Sequence, residues 1–312
     1  MWAALEARAD AQGRLSYRDF IEVTLYTPEV GYYRQPAERV GRQPGSDFYT
    51  STSLGPIFAE LVVAAAVKLL PEAPAHYTFV EIAAEPDSGL LHGREHPFAD
   101  YLPLRLGQEL NIPPRSVVFA NEWLDAQPFD RLVFREGAWR ERAVQLQPDA
   151  TLAEIELGRW DRDFPALAHP APEGYELDLP LDAVQALESI ARQDWQGLFI
   201  TCDYGLLWNA LAYERPAGTA RTYSRHQQGD DLLERPGEID ITCHVCWDWL
   251  EQALRDHRFD AHLERQEAFL VQHGTAAIER AMRESRLSRG ALQELLHPQY
   301  FGSKFQVLWG SR

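Results

Sequence analysis

Three short apolar segments, far apart along the chain, restrict what this sequence can fold into. They are residues 77–82, 116–120 and 197–202, and each is built largely from Val, Ile, Leu and Phe. Strands that are apolar along their whole length are covered on both faces, which is typical of parallel sheets between layers of helices. Residues 55–70 and 181–193 have the apolar content or the periodicity of such helices. We therefore predict an α/β fold with a mostly parallel sheet.

Further elements are predicted around this sheet. Helices are expected over 1–13, 16–26, 98–110, 243–257 and 275–286, a β-hairpin over 130–146, and a closing strand at 307–309. Residues 148–175 are rich in proline and are expected to be irregular. Ser16 and Asp19 stand at the spacing of a helix-capping pair.

Charge and composition argue against several classes of function. Thirty Lys and Arg residues against 47 Asp and Glu residues give a net charge of −17. This balance argues against a nucleic-acid-binding protein and against docking on an anionic membrane. The longest apolar stretch, 61–67, ends at Lys68 and is too short to span a bilayer, and no secretory segment is recognised. With only three cysteines, we expect a cytoplasmic protein with reduced thiols.

An ordered set of short motifs adds a resemblance. The motifs are Tyr26-x-Pro28-x-x-Gly31-Tyr32-Tyr33, Asp47-Phe48-Tyr49-Thr50-Ser51, Asn121-Glu122-Trp123-Leu124-Asp125-Ala126-Gln127-Pro128, Asp203-Tyr204-Gly205, Gly218-Thr219-x-Arg221-x-Tyr223-x-x-His226, Pro236-Gly237-x-x-Asp240-Ile241-Thr242-x-His244-Val245 and Gly302-x-Lys304-Phe305. Together they resemble the MidA-like family of class I S-adenosylmethionine-dependent methyltransferases, whose mitochondrial members methylate an arginine of a respiratory complex I subunit.

The resemblance implies an architecture and a partner. The fold would be a Rossmann-type sheet in residues 76–312, with an insertion around 206–242, a helical cap in residues 1–75 and a C-terminal extension. The cofactor would be S-adenosylmethionine, and the partner would be a protein that presents an arginine.

The expected cofactor loop departs from the family pattern. Where the family has a glycine-rich turn after the first strand, Glu81 is followed by alanines at 83 and 84, and the next glycine is Gly89. A Cβ obstructs close approach of the backbone to a ligand. By resemblance, the cofactor-binding positions would be Glu81, Ala83, Gly89 and Asn121, and we expect binding to be weak or absent. Only 40 residues separate Glu81 from Asn121, so we expect the sheet to lack strands on the side that binds adenosine.

Three carboxylates are candidates for catalysis. Glu122 and Asp125 follow one predicted buried strand, and Asp203 follows the next. The carboxyl ends of parallel strands form the binding crevice of α/β proteins. Carboxylates there could hold the N–H groups of an arginine and keep its positive charge away from the reacting nitrogen. Alternatively, Asn121 and Asp125 cap the following helix and Asp203 begins a turn.

The resemblance also suggests substrate-binding residues in the cap and in the insertion. These are Tyr33, Tyr49, Thr50, Arg221, Tyr223, His226 and His244. A structural role in packing or in a buried Arg–Asp network is an alternative for these positions. Cys243 and Cys246 have the spacing of a zinc pair but no second pair, so no metal site is predicted. Two functions stay open at this point: an arginine methyltransferase, or an inactive protein with the same fold that binds a protein partner.

Overall fold

The computed structural model describes residues 1–35, 56–85, 89–162, 167, 170–224, 227–283, 286–297 and 304–312. Strands in these ranges are β1 (Arg14–Ser16), β2 (Thr78–Ile82), β3 (Asp100–Leu104), β4 (Arg115–Asn121), β5 (Asp130–Arg135), β6 (Ala138–Leu146), β7 (Leu152–Arg159), β8 (Glu176–Leu179), β9 (Gln196–Asp203), β10 (Gly205–Leu206), β11 (Arg221–Ser224), β12 (Gln227–Gly229), β13 (Asp240–Thr242), β14 (Val245–Cys246), β15 (Asp260–Arg265) and β16 (Gln306–Ser311). Helices are α1 (Trp2–Arg8), α2 (Tyr17–Tyr26), α3 (Pro56–Leu69), α4 (Leu181–Ala191), α5 (Trp208–Tyr213), α6 (Trp247–Asp256), α7 (Gln266–His273), α8 (Thr275–Arg283) and α9 (Arg286–Leu296).

A six-stranded sheet forms the centre, in the order β15-β16-β9-β4-β2-β3. Strands β9, β4, β2 and β3 are parallel, and β16 runs antiparallel to both of its neighbours. The three apolar segments predicted as strands are thus adjacent in one sheet. The predicted closing strand is also confirmed, because β16 pairs with β9 along six residues.

Helices cover both faces of this sheet, as its apolar strands require. One face packs α3, α7, α8 and α9 against side chains that include Phe79, Phe119 and Ile200. The other face packs α4 and α6 against Val80, Val118 and neighbouring strand residues. The helices predicted over 55–70 and 181–193 are confirmed as α3 and α4. This three-layer arrangement leaves the carboxyl ends of β2, β4 and β9 at one edge.

The structure at the sheet edge beside β2 differs from two of the predictions. Residues 100–104 form strand β3, parallel to β2, so the helix predicted over 98–110 is wrong, and one strand does stand on the expected adenosine side. Pro103 has no amide to donate, and an edge strand tolerates this because no further strand needs that donor. Within the described residues, no helix joins β2 to β4 and no strand lies beyond β3.

A second sheet has the strand order β1-β6-β5-β8, and β7 also pairs with β6. The predicted hairpin is confirmed as β5–β6. The expectation that residues 148–175 are irregular is wrong for β7, whose pairing with β6 outweighs the proline-rich surroundings. Helix α2 begins as predicted, because the Ser16 side chain accepts a hydrogen bond from the Asp19 amide. Helix α6 begins only at Trp247, since 245–246 pair with β10.

Buried Asp178 joins the second sheet to residues 219–220, in the region predicted as an insertion. Arg131 on β5 contacts Asp178 on β8 at 2.8 Å, and the other oxygen of Asp178 accepts the amides of Thr219 and Ala220. The following residues form a small antiparallel ribbon, in the order β12-β11-β13, that belongs to the predicted insertion. Within the ranges given above, the longest helix is too short to cross a lipid bilayer.

Candidate functional site: a carboxylate cluster at the strand ends

The carboxyl ends of β4 and β9 meet side by side at the centre of the edge. Asn121, the last residue of β4, lies opposite Cys202 of β9, and the Glu122 amide donates to the Cys202 carbonyl at 2.9 Å. Asp203 is the last residue of β9. The sheet therefore brings the segment from 121 to 125 next to Asp203, as their predicted positions after neighbouring strands require.

Asp203 is fully buried, and backbone amides contact both of its oxygens. Oδ2 accepts from the amides of Leu124 and Asp125 at 2.9 and 3.3 Å, and Oδ1 accepts from the Tyr204 amide at 2.8 Å. Burial raises the pKa of Asp203 to about 7, although these amide contacts oppose the shift. These contacts fix the turn that carries Glu122 and Asp125, so Asp203 has a positioning role.

Glu122 adopts a backbone conformation that is unusual for its residue type. Its φ is 49°, in the left-handed region where a side chain costs about 1–2 kcal/mol. Its Oε1 accepts from the Asn121 side-chain amide at 2.8 Å, whereas Asn121 Oδ1 receives no hydrogen bond from the described part of the chain. Burial, with further repulsion from Asp203 and Asp240, raises the pKa of Glu122 to about 8. Strained backbone with a perturbed carboxyl group is typical of functional sites.

Asp125 and Asp240 complete a group of four carboxylates, which we call the acidic cluster: Glu122, Asp125, Asp203 and Asp240. The pKa of Asp125 is raised well above its usual range. Burial is the main cause, and repulsion from Asp203, Glu122 and Asp240 adds to it. Asp240, in the region predicted as an insertion, is the first residue of β13 and is buried. No lysine or arginine of the described residues forms an ion pair with Glu122, Asp125 or Asp203. Glu122, Asp125 and Asp203 thus lie close together without an ion-pairing cation among the described residues.

Tyrosines from three parts of the chain surround the acidic cluster. Tyr26 donates its hydroxyl to the Ala126 carbonyl at 2.7 Å, and Tyr33 stacks on Tyr26 with ring centroids 5.6 Å apart. Tyr204 packs on Phe305, with ring centroids 4.0 Å apart. Burial, together with Asp125 and other members of the acidic cluster, raises the pKa of Tyr33 and Tyr223. The predicted substrate residues Tyr33 and Tyr223 therefore lie beside the predicted catalytic carboxylates.

The turn after β2 carries the predicted cofactor residues. Ala83 has a φ of 56°, the conformation that a glycine would adopt, and the Ala84 amide donates to the Leu104 carbonyl at 3.1 Å. Glu81 is buried, and its Oε2 accepts from the Leu90 amide at 2.7 Å and from the Tyr101 hydroxyl. A Cβ at Gly89 would collide with that hydroxyl. The absence of a side chain at Gly89 thus leaves room for the hydrogen bond between the Tyr101 hydroxyl and Glu81.

The other predicted substrate residues divide into two groups. Arg221 and His244 lie in the insertion and in the segment after β13, near the acidic cluster. Tyr49, Thr50 and His226 lie outside the described residues, so their predicted roles stay predictions. Cys243 and Cys246 are buried, and in the portion of the chain covered here no group of three ligand-type side chains is arranged for a metal ion.

Sequence comparison places residues 59–263 in a family described as "putative S-adenosyl-L-methionine-dependent methyltransferase". The chain belongs to this family. It is 22% identical to a Drosophila melanogaster protein named as a mitochondrial protein arginine methyltransferase, the NDUFAF7 homolog, with 97% of this chain and 83% of that protein covered.

Two solved structures are similar to the fold. One is a superfamily member from Burkholderia thailandensis, described as a "likely methyl transferase" and bound to S-adenosyl-homocysteine. It has a TM-score of 0.88 at 25% identity, covering 100% of this chain and 91% of that one. A native structure of an uncharacterised Burkholderia thailandensis protein has a TM-score of 0.82 at 23% identity with the same coverage. The predicted class I methyltransferase-like fold and the predicted family are thereby confirmed.

Proposed function

We propose that this protein binds an arginine side chain of a protein partner at the acidic cluster. We further propose that it binds S-adenosylmethionine weakly, so that the methyl-transfer activity of its family is impaired or lost. The observation that carries the proposal is a group of three acidic side chains at the strand ends, Glu122, Asp125 and Asp203, that form no ion pair with a Lys or Arg of the described residues.

A guanidinium group suits this arrangement better than an ammonium group. It is planar, always charged and offers five donors, which can contact several carboxylates at once. Charge-assisted hydrogen bonds of this kind are about twice as strong as neutral ones. Glu122 is the partly exposed member of the acidic cluster, whereas Asp125, Asp203 and Asp240 are buried, so an incoming ligand would contact Glu122 first. The Drosophila relative, named as a protein arginine methyltransferase, supports an arginine-bearing protein as the partner.

The residues after β2 do not fit the cofactor in the manner usual for this fold. Ala83 places a Cβ at the turn, the Ala84 amide is already bonded within the protein, and Glu81 Oε2 already has two donors. At the end of β3, where a carboxylate commonly binds the ribose hydroxyls, Leu104 is followed by Arg105. S-adenosylmethionine would supply the methyl group when bound. We expect its binding to be weak, with a dissociation constant well above the micromolar values of a tight cofactor site.

Two titrations test this proposal. Calorimetry with S-adenosyl-homocysteine should give a dissociation constant above about 100 μM, because a contact deficit of about 3 kcal/mol weakens binding roughly 150-fold. A blocked arginine peptide should bind, and its lysine counterpart should bind more weakly. Glu122→Gln should reduce arginine binding, whereas Glu95→Gln, at an exposed position away from the cluster, should not. Equal binding of both peptides, or no effect of Glu122→Gln, would refute arginine recognition.

An active arginine methyltransferase is the second candidate. The observation that favours it is the left-handed conformation of Ala83, since the turn keeps the backbone path that glycine would take. Low-micromolar binding of S-adenosyl-homocysteine, together with transfer of a labelled methyl group to an arginine peptide, would establish this activity. It would also overturn the proposed weak cofactor binding.

A further inference from the structure

Asn121, the last residue of β4, carries a polar atom that no group in the described part of the chain satisfies. Its Oδ1 atom is buried and accepts no hydrogen bond there, although the residue as a whole is partly exposed. Folded proteins pair nearly all of their buried polar atoms, so an unpaired acceptor needs an explanation, and a donor on a ligand is one. Asn121 lies beside Cys202 at the carboxyl ends of the parallel strands, where α/β proteins bind their ligands.

A hydrogen bond to Glu122 fixes the orientation of the Asn121 carboxamide. The Nδ2 atom of Asn121 donates to Glu122 Oε1 at 2.8 Å. Because an ionised carboxylate only accepts hydrogen bonds, the amide nitrogen faces Glu122 and the amide oxygen faces away from it. The Oδ1 atom is therefore an acceptor of fixed orientation, and it lies next to a carboxylate that is itself partly exposed.

The unusual backbone of Glu122 makes this side-chain pair possible. Successive side chains of a strand point to opposite faces of the sheet, so neighbours along a strand do not ordinarily meet. The chain leaves strand geometry at Glu122, whose φ is 49°, and the glutamate side chain returns to Asn121. The Glu122 amide donates to the Cys202 carbonyl at 2.9 Å, which holds the turn against β9. Strained backbone that brings two acceptors together is typical of a binding site.

An arginine guanidinium suits two adjacent acceptors of this kind. It has five N–H donors in one plane, so neighbouring donors can contact Glu122 and the Asn121 oxygen at the same time. Glu122 contributes negative charge, whereas the neutral Asn121 oxygen contributes only a directed hydrogen bond. Methylation of a guanidinium keeps the positive charge but blocks paired hydrogen bonds. The contact with Asn121 is therefore sensitive to methylation, in a way that attraction between opposite charges is not.

We propose that Asn121 Oδ1 accepts an N–H of the bound arginine, so that the site selects arginine without methyl groups. This inference rests on the proposed arginine binding, and it adds the modification state of the partner. A site that is built to hydrogen-bond an N–H group strongly rejects a ligand that lacks it, because the buried acceptor is then left unpaired. The protein would bind its partner before, and not after, this arginine is dimethylated.

The test compares three blocked peptides by calorimetry on the full chain, without S-adenosylmethionine. The peptides carry arginine, asymmetric dimethylarginine or symmetric dimethylarginine in a glycine background. We expect at least one dimethylated peptide to bind about tenfold more weakly than the arginine peptide, as the loss of one buried hydrogen bond requires. Asymmetric dimethylation removes both donors from one terminal nitrogen, and symmetric dimethylation removes one donor from each. The form that is rejected more strongly therefore identifies the edge of the guanidinium that contacts Asn121.

Variants assign this selectivity to the amide oxygen. Asn121→Leu keeps a similar shape without polar atoms, so exclusion of methyl groups by shape persists while the hydrogen bond is lost. This variant should bind the arginine peptide about tenfold more weakly and the dimethylated peptides about equally well, which removes the selectivity. Asn121→Asp keeps an oxygen at this place and should retain the selectivity. Asn111→Leu is the matched control, because exposed Asn111 also donates to a nearby glutamate, Glu109, at 3.0 Å.

Three results would contradict these expectations in different ways. Wild-type affinity for both dimethylated peptides that equals or exceeds the affinity for arginine would refute the inference and leave arginine binding intact. Selectivity that persists in Asn121→Leu would also refute it, because methyl groups would then be excluded by shape or by Glu122 alone. Failure of the arginine peptide to bind would refute the proposed function, and the inference with it. Urea unfolding establishes that each variant is folded, and Asn121→Ala replaces the leucine variant if that one does not fold.

Discussion

The acidic cluster should make the protein less stable as the pH rises from about 5 to about 8. A carboxyl group whose pKa is higher in the folded state than in the unfolded state binds a proton that unfolding releases. The folded protein therefore holds more protons than the unfolded chain over this interval, and the free energy of unfolding falls with pH. Lowered carboxyl pKa values, such as that of Asp19 beside Ser16 and Arg8, have the opposite effect and act only at more acidic pH. Burial lowers the pKa of His244 from 6.5 to about 4, which opposes part of the decrease below about pH 6.5, so the decrease is steepest above that pH.

The size of the effect follows from Glu122. Its pKa changes from 4.5 to about 8 on folding. At about 1.36 kcal/mol per pH unit, this corresponds to an upper limit of about 5 kcal/mol. Because the side chain is half-buried and water reduces the penalty, we expect about 2–3 kcal/mol from this residue. Glu122→Gln removes the titration and keeps the volume, so it should flatten the pH dependence and stabilise the protein at pH 8.

Urea unfolding at pH 5, 6, 7 and 8 measures this prediction for wild type, Glu122→Gln and Glu95→Gln. The wild-type protein and Glu95→Gln should lose stability in parallel, while Glu122→Gln should lose less. A free energy of unfolding that is constant or rises over this range in the wild type would refute the reasoning. So would a Glu122→Gln variant with the wild-type slope, because the raised pKa would then belong to another group.

Three further substitutions have expected effects on the free energy of unfolding, and denaturant titration measures each. Ala83→Gly should stabilise the protein by up to about 1 kcal/mol, because it relieves a left-handed alanine but adds freedom to the unfolded chain; a loss of stability would contradict this. Asp203→Asn should destabilise the protein by about 2–3 kcal/mol, because three backbone amides lose a carboxylate acceptor, and an unchanged midpoint would remove its positioning role. Asp178→Asn should cost about 3–5 kcal/mol because the buried Arg131 loses its most deeply buried carboxylate partner; a cost below about 1 kcal/mol would show that the remaining partners of Arg131, Glu154 and Glu176, are sufficient.

The central strands could be predicted because their sequences leave little choice. Continuous apolar runs such as 116–120 fit only a strand covered on both faces. Strand β3 could not be recognised, since it is short, lies at an edge and contains Pro103. Strand β7 alternates small, apolar and charged residues in a proline-rich region, and only its pairing with β6 makes it a strand. Edge strands depend on a neighbour that local sequence does not reveal.

The candidate site was also predictable only where its residues follow recognisable strands. Glu122, Asp125 and Asp203 follow recognisable strands, so their proximity could be inferred from the chain. The place of Asp240 in the acidic cluster could not, because the β11–β13 ribbon brings it there from a distant segment. The left-handed conformation of Glu122 was equally hidden, since glutamate does not favour it. Tertiary structure imposes both features.

Strand β1 has a consequence for how this protein is made. Leu15 pairs with Val144, so the N-terminal segment completes its sheet only after β6 has been synthesised. At 5–20 residues per second, a ribosome needs about 6–26 s to add the intervening chain. During this time the apolar face of α2, with Phe20 and Ile21, has no sheet to cover it. The nascent chain thus exposes an apolar surface early in synthesis. We expect its folding to depend on chaperones that bind emerging N-terminal segments.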